Sequence, residues 1–217
     1  MPPEVYKDWI EHYRIRGLKG GDLKEISGYS HGLAQLTEEG LADITGTARD
    51  FLGLKITDRL LDLGCGAGLL THQLVGDVES MVGLDANSEI LVNAGGDSRF
   101  ARVAAMADHL PFGSSTFDKI FCHSIFQYFP DYQYAVSVVG EMSRVLRLGG
   151  RCLIMDIPDT AKKDRYFNTK LPDSHNLERL FYSKEWFDRF APNSHIFEQR
   201  IRDYDNSQFR FNVLIQR

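Results

Sequence analysis

Cysteine is scarce in this sequence, and long apolar runs are missing. The chain of 217 residues has three cysteines, Cys65, Cys122 and Cys152, an odd number without the CxxC spacing of many metal and redox sites. No apolar stretch reaches the roughly 18 residues that span a membrane. The N-terminus is acidic where a secretion signal is basic and then apolar. These features predict buried free thiols, no membrane span and a cytoplasmic location.

A block of basic residues is also missing. The chain has 25 Lys and Arg against 30 Asp and Glu, a net charge of -5, and Asp164 interrupts its longest basic cluster at Lys162–Arg165. Proteins that bind nucleic acid or anionic membranes usually carry a basic patch. The sequence therefore favours a small-molecule partner over nucleic acid, and it carries no signal for the oligomeric state.

Several catalytic motifs are absent as well. The 7 histidines show neither HExxH nor paired Cys/His spacing, so we expect no metal. Neither a GxSxG nucleophile elbow nor a P-loop occurs. These absences argue against zinc hydrolases, serine hydrolases of the α/β type and P-loop nucleotide hydrolases.

From residue 58 onward, short apolar runs alternate with helical patterns. This alternation predicts βαβ units and a parallel sheet. Helices are expected over Thr37–Leu52 and around Ala135–Leu146, the second stopped by Gly149-Gly150. Two final runs, at 195–202 and 208–216, have a link too short for a helical crossover and predict an antiparallel hairpin. The internal runs are Arg59–Leu63, Ser80–Leu84, Phe100–Ala104, Lys119–Cys122 and Arg151–Met155.

Residues 1–57 and 157–182 fall outside this alternation. The first segment has Tyr6, Trp9 and Tyr13 at helical spacing, which predicts either a packing face or a lid over a ligand. The second segment follows the fifth run, and ligands of open α/β sheets bind beyond the carboxyl ends of the strands. It is therefore either part of the site or a surface loop.

The strongest local signal is a strand that runs into glycines and then into a helix. Gly64, Gly66 and Gly68 directly follow the apolar run Arg59–Leu63. Glycines at this junction let the backbone approach a ligand beside helix N-terminal amides. A dinucleotide fingerprint GxGxxG would need glycine at position 69, where Leu69 stands.

Two aspartates follow the next strands. Asp85 comes after the second run, where a carboxylate can accept both hydroxyls of a ribose, and Asp108 comes after the third, where it can accept from an exocyclic amine. Each acid alone is best explained as a helix N-cap. Both together, beside the glycines, favour a nucleoside ligand.

On these residues the sequence resembles the class I S-adenosylmethionine-dependent methyltransferases, in particular the branch similar to the ubiquinone-biosynthesis enzymes. The resemblance covers about residues 58–156 and departs at Leu148, where the family often has proline. It implies an α/β fold with a Rossmann-like, doubly wound, seven-stranded and mostly parallel sheet that includes a C-terminal antiparallel hairpin. The matching motifs are Asp62–Gly68, Gly83–Asp85, Asp108–Phe112, Phe117-Asp118 and Glu141–Leu146.

The resemblance implies one methyltransferase domain over residues 1–217. It divides into an N-terminal helical cap segment (1–57), a cofactor-binding core (58–156), an insertion that is a candidate substrate lid (157–182), and a final helix and hairpin (183–217). The implied cofactor is S-adenosyl-L-methionine, which becomes S-adenosyl-L-homocysteine. The implied reaction is in-line methyl transfer to a small molecule, with oxygen or nitrogen favoured over carbon as the acceptor atom.

The resemblance also assigns roles to individual residues. Asp62 would lie near the amino group of the cofactor, Asp85 would hold its ribose hydroxyls, and Asp108 would receive its adenine amine. The complete set of implied cofactor contacts is Asp62, Gly64, Cys65, Gly66, Gly68, Asp85, Ala86, Ala107, Asp108, His109, Leu110, His123 and Ser124.

His123 is the first candidate for a general base because it ends a strand on the cofactor side. The alternative is a histidine that is hydrogen-bonded to backbone beside Gln127 or Tyr128. Asp156 is a further candidate, as base or as a group that orients the substrate, and His31 is another.

Two other functions stay open at this level. A catalytically inactive cofactor-binding subunit, with a regulatory or partner role, would share the same motifs. A nicotinamide-dependent oxidoreductase would share the fold class, although Leu69 argues against it.

Overall fold

The fold is built on a seven-stranded sheet. A computed structural model describes residues 4–30, 32–169, 178–191 and 194–217, with side chains from residue 7 onward. The strand order is β3-β2-β1-β4-β5-β7-β6. The strands are β1 Arg59–Leu63, β2 Ser80–Asp85, β3 Phe100–Ala104, β4 Phe117–His123, β5 Leu146–Pro158, β6 Ser194–Glu198 and β7 Arg210–Gln216.

Helices pack on both faces of this sheet. Apolar side chains of both faces form two large buried clusters, one centred on β4 and β5 with the helix that precedes β5, the other including the helix that precedes β1. The helices of the described chain are α1 Glu4–Lys19, α2 Leu23–Ile26, α3 Glu38–Leu52, α4 Thr71–Leu74, α5 Ser88–Leu91, α6 Tyr132–Val145, α7 Lys163–Thr169 and α8 Lys184–Phe190.

The strand directions confirm the predicted architecture. β1 to β5 pair in parallel, and β7 runs antiparallel to both β5 and β6. The predicted final hairpin is therefore present, with β7 lying between β5 and β6. The strand order reverses between β1 and β4, and such a switch point opens a crevice at the carboxyl ends of the strands.

The predicted helices and strands have the expected positions, with two corrections. The run at 195–202 forms a strand only over Ser194–Glu198. α3 follows Thr37, whose side chain accepts a hydrogen bond from the Gly40 amide as an N-cap. The glycine pair at 149 and 150 does not stop the preceding helix, because α6 already ends at Val145 and β5 begins at Leu146. Leu146 is extended, buried and paired with Phe117, so tertiary packing ends this helix before the glycines are reached.

Two sequence-based expectations about side chains and helices can be compared with this fold. All three cysteines are free and buried, which confirms the predicted state of the thiols. Across the ranges that the structure describes, no helix combines the length and apolarity needed to cross a bilayer.

Close packing at β2 generates a stability prediction. A Cβ atom at Gly83 would lie 2.6 Å from the Phe100 ring and 2.7 Å from the Cys65 sulfur. We expect Gly83→Ala to lower the free energy of unfolding by about 1–3 kcal/mol, because a buried site must absorb the overpacking. Urea denaturation measures this change.

Gly140 provides the matched control. It lies in α6, and a Cβ atom there would have nothing within 4 Å. Gly140→Ala should raise the free energy of unfolding by up to about 1 kcal/mol through helix propensity. Equal effects of the two substitutions would contradict the packing described for β2.

Candidate active site

A cavity opens at the carboxyl ends of β1, β2 and β4, where the strand order reverses. The glycine segment after β1 forms its floor, the residues after β2 and β4 form two walls, and α1 covers it with Trp9, Ile10 and Tyr13. The polar and glycine residues of the wall are Ser27, Tyr29, Asp62, Gly64, Gly66, Asp85, Asn87, His123, Ser124 and Tyr128.

The glycine segment after β1 lies close to the end of β2 and leaves room for a ligand. Gly64 and Gly66 have φ angles of 79° and 53°, in the left-handed region that favours glycine. The amides of Gly64 and Cys65 both donate to the Leu84 carbonyl oxygen, at 2.7 and 3.1 Å. A Cβ atom at Gly64 would collide with the Ile125 side chain. Glycine is therefore required by the backbone angles and by the packing against Ile125.

Two carboxylates, of the buried Asp62 and the half-buried Asp85, give this cavity its charge. Asp62 accepts a hydrogen bond from the Thr71 hydroxyl at 2.6 Å, and Asp85 accepts from the amides of Gly66 and Asn87 at 3.0 Å. Neither Lys nor Arg lines the cavity within the described chain. Burial raises the pKa of Asp62 to about 7, and it also raises the pKa of Asp85. The site therefore favours a cationic ligand, which would stabilise the ionised carboxylates.

The helix-cap explanation of Asp85 is not sufficient. Asn87, two residues later, occupies the N-cap position of α5, and it makes no side-chain cap bond there. Asp85 accepts two backbone hydrogen bonds and still lines the cavity, so its carboxylate retains acceptor capacity for a ligand.

His123 lies between this cavity and the N-terminal segment. Its Nδ1 atom is 2.8 Å from the Tyr29 hydroxyl, and its buried Nε2 atom has no partner among the described residues. Burial lowers the pKa of His123 to about 4, so the imidazole is neutral near pH 7. The hydrogen-bond partner of His123 is thus the Tyr29 hydroxyl, and not the backbone beside Gln127 or Tyr128.

Asp156 lies below a second cavity that adjoins the first. Its carboxylate accepts hydrogen bonds from Ser124 Oγ at 2.7 Å, Gln199 Nε2 at 2.9 Å and the Tyr204 hydroxyl at 3.2 Å. Arg210 Nε is 3.6 Å from the carboxylate. With its oxygens engaged by three donors, Asp156 has the environment of a positioning group rather than of a base.

Four of the residues assigned to the cofactor by resemblance lie outside the cavity wall. Gly68 faces Ala94 and His72, and Leu110 is buried in the core with its amide bonded to Glu141. Asp108 is instead 3.1 Å from His109, which extends into solvent with 87% of its side chain exposed. The other nine assigned residues line the cavity, and the candidate base His31 lies outside the described residues.

Comparisons with known proteins agree with this architecture. Residues 61–154 match the family model described as a methyltransferase domain. An uncharacterized methyltransferase of Bacillus subtilis, YcgJ, is 31% identical over 148 residues, which cover 62% of this chain and 56% of the relative. The matched residues 61–154 therefore carry a class I S-adenosylmethionine-dependent methyltransferase domain.

A more distant relative and a solved structure of similar fold are named for different methyl-transfer activities. A sterol 4-C-methyltransferase of Caenorhabditis elegans is 27% identical over 66% of this chain and 44% of its own length. The chain thus spans about half the length of the two curated relatives named here. A phosphoethanolamine N-methyltransferase of Haemonchus contortus, solved with phosphoethanolamine and S-adenosylhomocysteine, has a TM-score of 0.75 at 14% identity, covering 99% of this chain and 49% of that one.

The sequence alone did not indicate the roles of three side chains near Asp156, of which Tyr204 and Arg210 line the second cavity. Arg210 was assigned only to a strand, and Gln199 and Tyr204 received no role. The sequence does carry a signal for Arg210, because a charged residue stands between Phe209 and Phe211 at the start of a buried apolar strand. It carries none for Gln199 and Tyr204, since their importance follows only from their contacts with Asp156.

The buried imidazole generates a pH prediction for the methyltransferase domain. Because the pKa of His123 is about 4 in the folded state and near 6.5 when unperturbed, the unfolded state binds this proton more readily. The stabilising contribution is complete above pH 6.5 and is lost as the pH falls towards 4, by about 3 kcal/mol. We expect the free energies of unfolding of the wild type and of His123→Gln to converge over this range.

Denaturation at a series of pH values measures this convergence. The control is His109→Gln, because the His109 side chain is exposed and its loss should leave the wild-type pH dependence unchanged. A constant difference between wild type and His123→Gln from pH 7 to pH 4 would show that His123 is not a buried neutral imidazole.

Proposed function

We propose that this chain is an S-adenosylmethionine-dependent methyltransferase that acts on a small molecule. The observation that carries the proposal is the cavity at the β1/β4 switch point, whose described wall has the two carboxylates of Asp62 and Asp85 and no Lys or Arg. This cavity shares Trp9, Tyr13, Tyr29, Ser124 and Tyr128 with the second cavity. A methyl donor and an acceptor bound in adjoining cavities would meet at this shared wall.

The first cavity fits the chemistry of the cofactor. S-adenosylmethionine carries a sulfonium, an ammonium and one carboxylate, so its net charge is positive. Asp62 would attract the ammonium, and the free acceptor capacity of Asp85 suits the two ribose hydroxyls. The backbone of Gly64, Cys65 and Gly66 would lie along the methionine part, with Ala86 and Ala107 beside the adenine.

The sulfonium supplies a strongly electrophilic methyl group, so the protein has mainly to position the acceptor and exclude water. Trp9 contributes to water exclusion, because its side chain is buried and its ring lies 4.4 Å from that of Tyr128. Its Nε1 atom donates to the Glu178 carbonyl, at 2.8 Å, across the second cavity. These contacts support both interpretations of α1, as a packing face and as a lid over a ligand. The function of α1 as a lid stays a prediction.

His123 is the proposed base. In the tautomer with the proton on Nδ1, that N–H donates to the Tyr29 oxygen and Nε2 carries a free lone pair. An oxygen or nitrogen atom becomes more acidic as it gains a methyl group, so a weakly basic neutral imidazole can accept its proton. Tyr29 is the positioning residue, because its hydroxyl lies 2.8 Å from Nδ1 and can accept the hydrogen bond that this tautomer donates. This chemistry favours oxygen or nitrogen over carbon as the acceptor atom.

Calorimetry with S-adenosylhomocysteine tests the cofactor site. The wild type should bind it, and Asp85→Asn should bind about tenfold more weakly or worse, because two charge-assisted hydrogen bonds to the ribose are weakened. Asp50→Asn is the control, since Asp50 is an exposed acid of α3. No binding by the folded wild type would overturn the proposed function. A melting temperature raised by NAD instead would favour an oxidoreductase.

Transfer of a labelled methyl group tests catalysis. The wild type is incubated with methyl-labelled S-adenosylmethionine and the heat-treated low-molecular-weight fraction of a cell extract. We expect a labelled small molecule, a loss of about 100- to 10,000-fold in kcat for His123→Gln, and a smaller loss for Tyr29→Phe. Cofactor binding with no labelled product would instead support an inactive binding subunit.

A further inference from the structure

The second cavity has a volume of about 540 Å³ and lies beside the proposed cofactor site. Its walls come from α1, the segment around Tyr29, the residues after β4, α7 and the turn before β7. On the proposed function, this cavity holds the methyl acceptor. The side chains of its wall therefore indicate the chemistry of the acceptor.

Arg210 is the most unusual of these side chains. It begins β7, only 2% of its side chain is exposed, and it lines the second cavity. No hydrogen bond to its guanidinium group occurs within the described part of the chain, and its Nε atom is buried without a partner. Its neighbours are the Asp156 carboxylate, at 3.6 Å, and the Tyr166 ring, at 5.6 Å from its central carbon.

Unused guanidinium donors in a buried position are costly. Arginine has five N–H donors in a planar fork, and a buried donor without a partner destabilises the fold by about 1–3 kcal/mol. Asp156 balances the charge of Arg210 but does not satisfy its Nε–H donor, because their separation of 3.6 Å is too long for a hydrogen bond. A ligand oxyanion would supply the missing acceptors with the bidentate geometry that arginine favours.

The charges of the two cavities are opposite in sign. Among the residues that the structure describes, two aspartates and no Lys or Arg line the first cavity. Three arginines, Arg16, Arg179 and Arg210, line the second cavity with the two aspartates Asp156 and Asp205. The second cavity therefore carries a net positive charge where the first is negative, and it favours an anionic ligand.

The second cavity also offers acceptors for the other end of that ligand. Gln127 Oε1 and Asn206 Oδ1 are buried without partners, and both residues line the second cavity. Gln127 Nε2 donates to the carbonyl and hydroxyl oxygens of Ser124, which lies on the shared wall. An amine or hydroxyl group of the ligand can donate to these oxygens. Near Gln127, that group would be close to the cofactor site.

We infer that Arg210 binds an oxyanion of the methyl acceptor, and that the acceptor is a small amino or hydroxy compound carrying a phosphate ester or a carboxylate. This inference rests on the proposed function. Arg210 fixes the anionic end, and the amine or hydroxyl lies towards Ser124 and His123, where methyl transfer would take place. Phosphate and carboxylate present the same chemistry to a guanidinium group, so the experiment separates them.

Calorimetry on the wild type saturated with S-adenosylhomocysteine tests the inference. Inorganic phosphate is titrated in one arm and acetate in the other, each in a chloride buffer of matched ionic strength. We expect saturable binding in at least one arm, and the tighter arm identifies the type of anion. Arg210→Lys keeps the charge but loses the planar fork, so it should bind that anion about tenfold more weakly.

Two further variants separate the inference from general effects of charge and folding. The double variant Asp156→Asn with Arg210→Met removes both members of the buried pair, which avoids an uncompensated buried carboxylate and should lose anion binding entirely. Arg200→Gln removes an exposed arginine outside the cavity and should bind as the wild type does. Circular dichroism melting verifies that each variant is folded.

Binding of S-adenosylhomocysteine without binding of either anion would overturn this inference and leave the proposed function standing. Anion binding that persists in both folded Arg210 variants would overturn it as well. Failure to bind S-adenosylhomocysteine would instead contradict the proposed function itself, so the two failures are distinguishable.

Discussion

The site depends on the parallel pairing of β1 with β4. These two strands are neighbours in the sheet although β2 and β3 separate them in sequence, and Leu63 is in register with Cys122. Because they run in the same direction, their carboxyl ends bring the glycine segment after β1 beside His123 and Ser124. A shift of one residue in this register would turn the side chains of β4 to the opposite face and separate these groups.

Burial of polar groups without partners is the common feature of the two cavities. In a low-dielectric interior, an unsatisfied charge or donor raises the free energy of the folded state until a ligand supplies the missing interaction. His123 Nε2 has this condition in the first cavity, where burial also raises the pKa values of Asp62 and Asp85, and Arg210 Nε has it in the second. Ligand binding should therefore stabilise the fold strongly, and each cavity should be selective for one sign of charge.

The sequence was most informative where structure is determined locally. Strands β1 to β5 follow from short apolar runs, and the glycine segment follows from its position directly after β1. The contact between Tyr29 and His123 joins residues 94 apart in the chain, so no local pattern could predict it. The contacts of Asp156 with Gln199 and Arg210 depend equally on how β7 pairs with β5. The position of Asp108 after the third apolar run and the resemblance both predict a ligand contact, whereas its side chain lies outside the cavity wall.

Ser124 directly follows β4, and Asp156 lies two residues before the end of β5. Both have φ near 60°, a left-handed conformation that disfavours residues other than glycine, asparagine and aspartate. The hydrogen bond between them joins the ends of β4 and β5 in this conformation. Glycine at position 124 would relax the backbone and improve local conformational stability, but it would remove the hydroxyl that orients Asp156. At position 124, glycine would therefore favour thermal stability, whereas serine keeps the Asp156 carboxylate oriented in the site.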